Sequence, residues 1–147
     1  MFVFDSSFTA ALFLPDETSA AVTEVFERVA EDEEIFVPQL WWYEMSSVLS
    51  VAVKRRHLKH SDVSEILRLL KGYGFDTDVS YGEKYAEQLF ELSRPYDVSA
   101  YDSAYIELAI RKHSTLATSL QIRFRFLTAK QINGVQMVGV KFAPTCF

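Results

Sequence analysis

Met1-Phe2-Val3-Phe4-Asp5-Ser6-Ser7 opens the chain, and its reading decides the fold. Phe2 to Phe4 are wholly apolar and run straight into an aspartate and two hydroxyls. A short apolar run ended by a polar break is the pattern of a strand buried on both faces. Such a strand is central in a parallel sheet covered by helices. Asp5 then stands at its carboxyl end, the edge outside which ligands bind in open parallel α/β sheets. Just beyond, Phe8 to Leu14 is densely apolar and stops at Pro15-Asp16, which predicts a short helix.

Further out, the pattern alternates between short apolar runs and helical periods. Ala21, Val22, Val25, Phe26 and Val29 recur at helical spacing, so a helix is expected over residues 19–30. Ile35-Phe36-Val37 ahead of Pro38 reads as a second buried strand. Residues 39–54 follow as a helix with Trp41, Met45, Val48, Leu49 and Ala52 on one stripe. Ser61 or Asp62 is expected to cap a helix that ends near Gly72-Tyr73-Gly74. Phe75 to Val79 is a weak strand, in which Asp76 and Asp78 alternate like acids facing water on a sheet edge. Tyr85, Leu89 and Leu92 mark a helix halted by Pro95, and Ser99 caps another over 100–113. Thr115 to Thr118 and residues 135–140 complete the strands. Between them, Ile122, Phe124 and Phe126 alternate with Gln121, Arg123 and Arg125 at a strand-like period of two. The βα rhythm calls for a helix there, and helix is the expectation for 121–127. No repeat, low-complexity tract or linker divides the chain. The expectation is one domain over residues 1–147, an α/β fold built as a three-layer α/β/α sandwich around a mainly parallel sheet.

Composition agrees and narrows the function. At 147 residues, 49% hydrophobic and 24% charged, the chain has the size and balance of a soluble globular domain. No apolar run reaches the roughly 18 residues that span a bilayer. The N-terminus has no basic region ahead of Asp5, unlike a secretory signal. Cys146 is the single cysteine and fits a reducing compartment, so a cytoplasmic protein with no membrane partner is expected. The net charge of −5 and pI near 5.2 give no general attraction for nucleic acid. A polyanionic substrate would then need metal ions and local basic patches. The run Lys54-Arg55-Arg56-His57-Leu58-Lys59-His60 is one candidate, with Arg123 and Arg125 as others, whereas Glu31-Asp32-Glu33-Glu34 reads as a solvated stretch.

Three acids stand out by position. Asp5 ends the first strand. Glu44 lies three residues after Trp41 and four before Val48, on an apolar face. There a carboxylate is costly unless hydrogen-bonded, paired or metal-bound. A rim glutamate reaching solvent, or a Lys or Arg partner, fits the spacing equally well. Asp102 falls at the third position of the helix capped by Ser99, where the helix dipole favours negative charge; a capping role alone also accounts for it. Carboxylates gathered without His or Cys suit Mg²⁺ or Mn²⁺. Such ions activate water and stabilise the attacking and leaving oxygens of phosphodiester cleavage. His57, His60 and His113 are too scattered to form a cluster and read as surface residues.

These segments together, Met1 to Ser7, Val37-Pro-Gln-Leu-Trp-Trp-Tyr-Glu44, Leu92-Ser-Arg-Pro-Tyr-Asp-Val-Ser-Ala-Tyr-Asp-Ser-Ala-Tyr105 and Leu116-Ala-Thr118, resemble the PIN-domain family, and within it the VapC-like toxin branch. The resemblance implies a metal-dependent endoribonuclease toxin that cleaves structured RNA such as tRNA or rRNA. It also implies a cognate antitoxin that blocks the site, and frequent homodimers. Asp5, Glu44 and Asp102 match the family's catalytic, metal-binding acids, served by Mg²⁺ or Mn²⁺, and Ser6 matches the small hydroxyl residue after the first. The family's fourth acid, in a Thr-x-Asp pattern, is missing: Thr118-Ser119-Leu120 stands there. Ser119 holding a metal-bound water, or Asp97, could compensate, although Asp97 also reads as a turn residue. The missing acid keeps a second reading open, a PIN-fold binding or regulatory module that has lost catalysis. A phosphatase or receiver domain built on Asp5 is discounted, because Ser7 occupies the place of the second aspartate that the former needs. Finally, Trp41, Trp42 and Tyr43 cannot all face one core from a single helical turn. At least one is expected to be exposed or covered by another chain, an antitoxin segment or a second protomer.

Overall fold

The N-terminal strand forms as β1 (Phe2–Phe4) and lies in the middle of a five-stranded sheet. β2 (Ile35–Pro38), β3 (Asp76–Asp78), β4 (Thr115–Thr118) and β5 (Met137–Gly139) join it in the order β3-β2-β1-β4-β5, every neighbouring pair parallel. This computed structural model describes residues 1–14, 23, 24, 26, 27, 29, 33–118 and 137–139, the last three as backbone. The helices are α1 (Ser6–Phe13), α2 (Leu40–Lys54), α3 (His60–Gly72), α4 (Glu83–Tyr96) and α5 (Ala100–Arg111). Thr23, Glu24, Phe26, Glu27 and Val29 are also helical, within the helix expected over 19–30. Ser119, Leu120, the helix expected over 121–127 with Arg123 and Arg125, and Cys146 lie outside the described residues.

The strand order fixes the layers. From β1 to β3 the chain steps one way across the sheet, and from β3 to β5 it steps the other way. Parallel crossovers are right-handed, so α1, α2 and α3 cover one face and α4 and α5 the opposite one. The packing agrees: α1 lies against α2, and α5 lies across β1, β2 and β4 with α4 beside it. This is the expected α/β/α sandwich, with all strand carboxyl ends on one edge.

Phe4 and Phe8 are fully buried, their rings edge-on with centroids 4.8 Å apart. That contact fixes α1 against β1. Trp41 is 0% exposed and packs edge-on against Phe75 at 5.2 Å, while its indole Nε1–H donates to Thr9 Oγ1 at 3.3 Å. Each such side chain contributes roughly 1.5–3 kcal/mol through burial.

Element ends differ from expectation where caps intervene. α1 begins at Ser6 rather than Phe8, because the Asp5 side chain accepts from Phe8 N–H and starts the helix at once. α3 begins at His60; Asp62 sits at its third position and accepts from Lys59 N–H at 2.8 Å. Pro95 falls inside the last turn of α4, which ends at Tyr96 with Asp97 in the left-handed region at φ 50°. α5 stops at Arg111, short of His113, whose own φ of 50° breaks the helical run. Among the described residues, no helix is long and apolar enough to cross a membrane.

Candidate active site

The parallel register brings the ends of β1 and β4 together. Phe4 pairs with Ala117, and Asp5 N–H donates to Ala117 O at 3.1 Å, which sets Asp5 beside Thr118. The Asp5 carboxylate then collects donors from both sides. Its Oδ1 accepts from Phe8 N–H at 2.7 Å and from Ser7 Oγ at 2.6 Å, and its Oδ2 accepts from Thr118 Oγ1. Asp5 is only 4% exposed. Burial pushes its pKa from 3.8 up to about 6; the bonds from Ser7, Thr118 and Phe8 pull it down, and the Glu44 charge adds to the rise.

Glu44 projects from the first turns of α2 and is half-buried. Its Oε2 accepts from Ser6 Oγ at 2.8 Å and from the Tyr105 hydroxyl. Of the arrangements the spacing left open, hydrogen bonding is the one seen, and among the described residues no Lys or Arg pairs with Glu44. Tyr105 reaches Glu44 from α5, across the edge of the sheet. Burial, followed by the negative charges of Glu44 and Asp5, drives the phenol pKa far up, so Tyr105 remains a proton donor.

Asp102 is placed differently. Its Oδ2 accepts from Ser99 N–H at 3.2 Å and Ser99 Oγ at 2.7 Å, and its own N–H donates to Ser99 Oγ at 3.1 Å. This is the reciprocal capping box of α5. Among the described residues, no group of three or more His, Cys, Asp or Glu side chains is placed to hold one metal ion. The charges of Asp5 and Glu44 interact, whereas Asp102 bonds back to Ser99 at the start of its own helix. The Asp5–Glu44 pair and the hydroxyls around it are all hard oxygen donors, a set that fits Mg²⁺ or Mn²⁺ rather than a softer ion.

Sequence reasoning placed the Thr118 turn on the same edge as Asp5 but missed its bond to that carboxylate, and it missed Ser7 and Tyr105 as parts of the site. The signal for Thr118 was its position at the end of the strand beside β1. Tyr105 was read as core, and it is 5% exposed, but its hydroxyl serves Glu44. Asp78 also departs from expectation: instead of facing water, it accepts two bonds from Arg111, at 3.0 and 2.8 Å. Asp97 takes the turn role at the end of α4. Trp41 is buried, Trp42 is half-buried with its Nε1–H on Thr77 Oγ1 at 3.0 Å, and Tyr43 is 68% exposed, as the crowding of this turn required. His57, His60 and His113 are exposed. The basic run is exposed too, and it begins about 15 Å along α2 from Glu44, at roughly 1.5 Å per residue.

A sequence model of the PIN domain matches residues 2–125. The chain is 30% identical over 117 residues to Ribonuclease VapC3 of Pyrobaculum aerophilum, covering 79% of this chain and 86% of that one. Its fold is similar to a toxin-antitoxin complex from Klebsiella pneumoniae, with TM-score 0.60 and 18% identity over 92% of this chain and 95% of the other. It is also similar to VapBC2 from Rickettsia felis bound to a DNA fragment from their promoter, with TM-score 0.64 and 12% identity over 95% and 98% of the two chains.

Proposed function

This chain belongs to the PIN-domain family, and from that premise we infer that it is a VapC-like, metal-dependent endoribonuclease toxin acting on cellular RNA of the tRNA or rRNA class. The observation that carries the reading is the placement of Asp5 and Glu44 at the carboxyl edge of β1, each held by hydroxyl donors and near enough for their charges to interact. The ribonuclease named among its relatives supports the same chemistry. Asp5, Glu44 and Asp102 are the proposed metal-binding and catalytic set. Asp102 lies one helical turn before Tyr105 on α5, so it borders the same edge.

When bound, a Mg²⁺ or Mn²⁺ ion supplies a water of lowered pKa and charge stabilisation at phosphodiester oxygens. The chain's own residues do the rest. Phe8 N–H, Ser7 and Thr118 fix the Asp5 carboxylate, and Ser6 and Tyr105 fix that of Glu44. Held in place by these bonds, the two acids do not have to rearrange when substrate arrives. The similarity to toxin-antitoxin complexes supports a cognate antitoxin as partner. We place it, or a second protomer of a homodimer, over the exposed Tyr43 side of α2, in a cytoplasmic protein.

Glu44→Gln and Asp102→Asn proteins should keep wild-type circular dichroism yet lose RNA cleavage; wild-type activity in both would refute the assignment. Mn²⁺ titration by calorimetry should show binding that Asp5→Asn abolishes. The capping box that occupies Asp102 favours one second reading, a PIN-fold binding module without catalysis. It takes over if the wild type binds RNA but no metal at millimolar concentration.

A further inference from the structure

The run Lys54 to His60 has no part in the acidic site, yet it is the most basic stretch of the chain. Four of the fifteen Lys and Arg, namely Lys54, Arg55, Arg56 and Lys59, fall within these seven residues. No Asp or Glu occurs from Met45 to Ser61, in a chain of net charge −5. We propose that this loop between α2 and α3 is a second anchor for the RNA backbone, gripping phosphates remote from the one that is cleaved. The proposal rests on the ribonuclease reading and adds a contact that sets how far along the RNA the protein reaches.

Unpaired charge is the first support. All four side chains are exposed, and among the described residues none of them pairs with an acid. Asp62, the nearest acid in sequence, already accepts from Lys59 N–H at the start of α3. The form of the loop is the second. Leu58 packs with Ala10, Leu14 and Ala52, while Arg56 N–H and His57 N–H bond back to Val53 O and Ala52 O at 3.0 and 2.9 Å. The turn is thereby fixed, with its cations pointing outward. Arg56 sits at φ 61°, a left-handed position where glycine is the favoured residue and a side chain is strained. A cation held there despite the strain fits a charge used in binding. Position is the third. The loop begins about 15 Å along α2 from Glu44. At roughly 3.4 Å per stacked nucleotide, its cations meet phosphates about four or five nucleotides from the scissile one. It starts about three helical turns beyond Tyr43, so the anchor does not rely on the side of α2 placed under a partner chain. Phosphates neutralised there release counterions, which gives an acidic protein the affinity for a polyanion that its net charge opposes.

The test is fluorescence anisotropy in EDTA with a labelled oligoribonucleotide of about 20 nucleotides, long enough to reach from the acidic edge to the loop, titrated over a range of salt. Arg55→Gln, Arg56→Gln and Lys59→Gln should each weaken binding about fivefold at about 0.1 M salt, and each should lower the slope of log affinity against log salt by about one. Lys71→Gln removes an exposed cation at the far end of α3 and should do neither. Because the replaced side chains are exposed, urea unfolding of the variants should match the wild type, which separates a lost contact from a lost fold. Loop variants that bind RNA as tightly as Lys71→Gln would overturn the proposal and leave the loop to an acidic protein partner. So would a fivefold loss with an unchanged salt slope, since that loss would not come from phosphate contacts. Mn²⁺ calorimetry on the same variants separates the two readings. Intact metal binding with wild-type RNA affinity removes the anchor alone. Absent metal binding in the wild type counts against the nuclease, and the salt slopes still decide the anchor.

Discussion

Replacing Asp5 by asparagine should make the metal-free protein more stable at neutral pH. Asp5 is buried, and burial raises its pKa from 3.8 to about 6. At about 1.4 kcal/mol per pH unit, the ionised form costs the fold about 3 kcal/mol once the pH is above 6. The sign follows from proton binding. Between pH 4 and 6 the folded state holds a proton that the unfolded chain has released, so Asp5's contribution falls as pH rises through that window. Asparagine removes the charge and keeps most of the geometry. Its amide oxygen can still cap Phe8 N–H, and its amide N–H can donate to the Ser7 or Thr118 hydroxyl, which rotates to accept. Allowing for less favourable bonds, a net gain of about 1–2 kcal/mol is expected at pH 7.5, turning into a loss of about 1 kcal/mol near pH 4, where the charge cost has gone and the weaker bonds remain. Urea unfolding of both proteins in EDTA at the two pH values measures it. An Asp5→Asn protein less stable than wild type at pH 7.5, or a difference that ignores pH, would refute the reasoning. Millimolar Mn²⁺ should reverse the order by stabilising the wild type alone.

Tyr105→Phe removes the donor that reaches Glu44 from across the sheet edge. It should cost about 1–2 kcal/mol in urea unfolding and weaken Mn²⁺ binding by calorimetry, because the half-buried Glu44 loses a fixed partner; unchanged values in both would discount the bond. Arg111→Ala unpairs Asp78, whose carboxyl is held below its ordinary value: burial pushes it up, but the bonds from Arg111 and Ser80 outweigh that. A depressed pKa contributes stability that is present above about pH 4 and lost as pH falls further. Arg111→Ala should therefore cost about 1 kcal/mol at pH 7, since Arg111 is 39% exposed and screened. The loss should shrink as the pH falls below about 4, as read by chemical unfolding at pH 7 and at successively lower pH.

The sandwich was legible because its signals are local. Phe2 to Phe4 could only be a strand covered on both sides, the Trp41, Met45, Leu49 and Ala52 stripe repeats at helical spacing, and Ser99 with Asp102 forms its capping box within four residues. Asp5, too, was legible as the end of a central strand, although its capping of α1, equally local, was not read. Helix ends went astray where one side chain decided them, as Asp62 does for α3. The site itself was only half legible. Three acids can be picked out by position, but which of them meet depends on bonds between distant residues. Thr118 reaches Asp5 across 113 positions, Tyr105 reaches Glu44 across 61, and Arg111 reaches Asp78 across 33. The amino-acid sequence by itself determined the strands, the helices and their apolar faces, because periodicity and caps act over a few residues. Only the tertiary structure decided that Asp5 and Glu44 share one hydroxyl-lined edge with Thr118 and Tyr105, because strand register and crossover hand set which distant side chains come within hydrogen-bond reach.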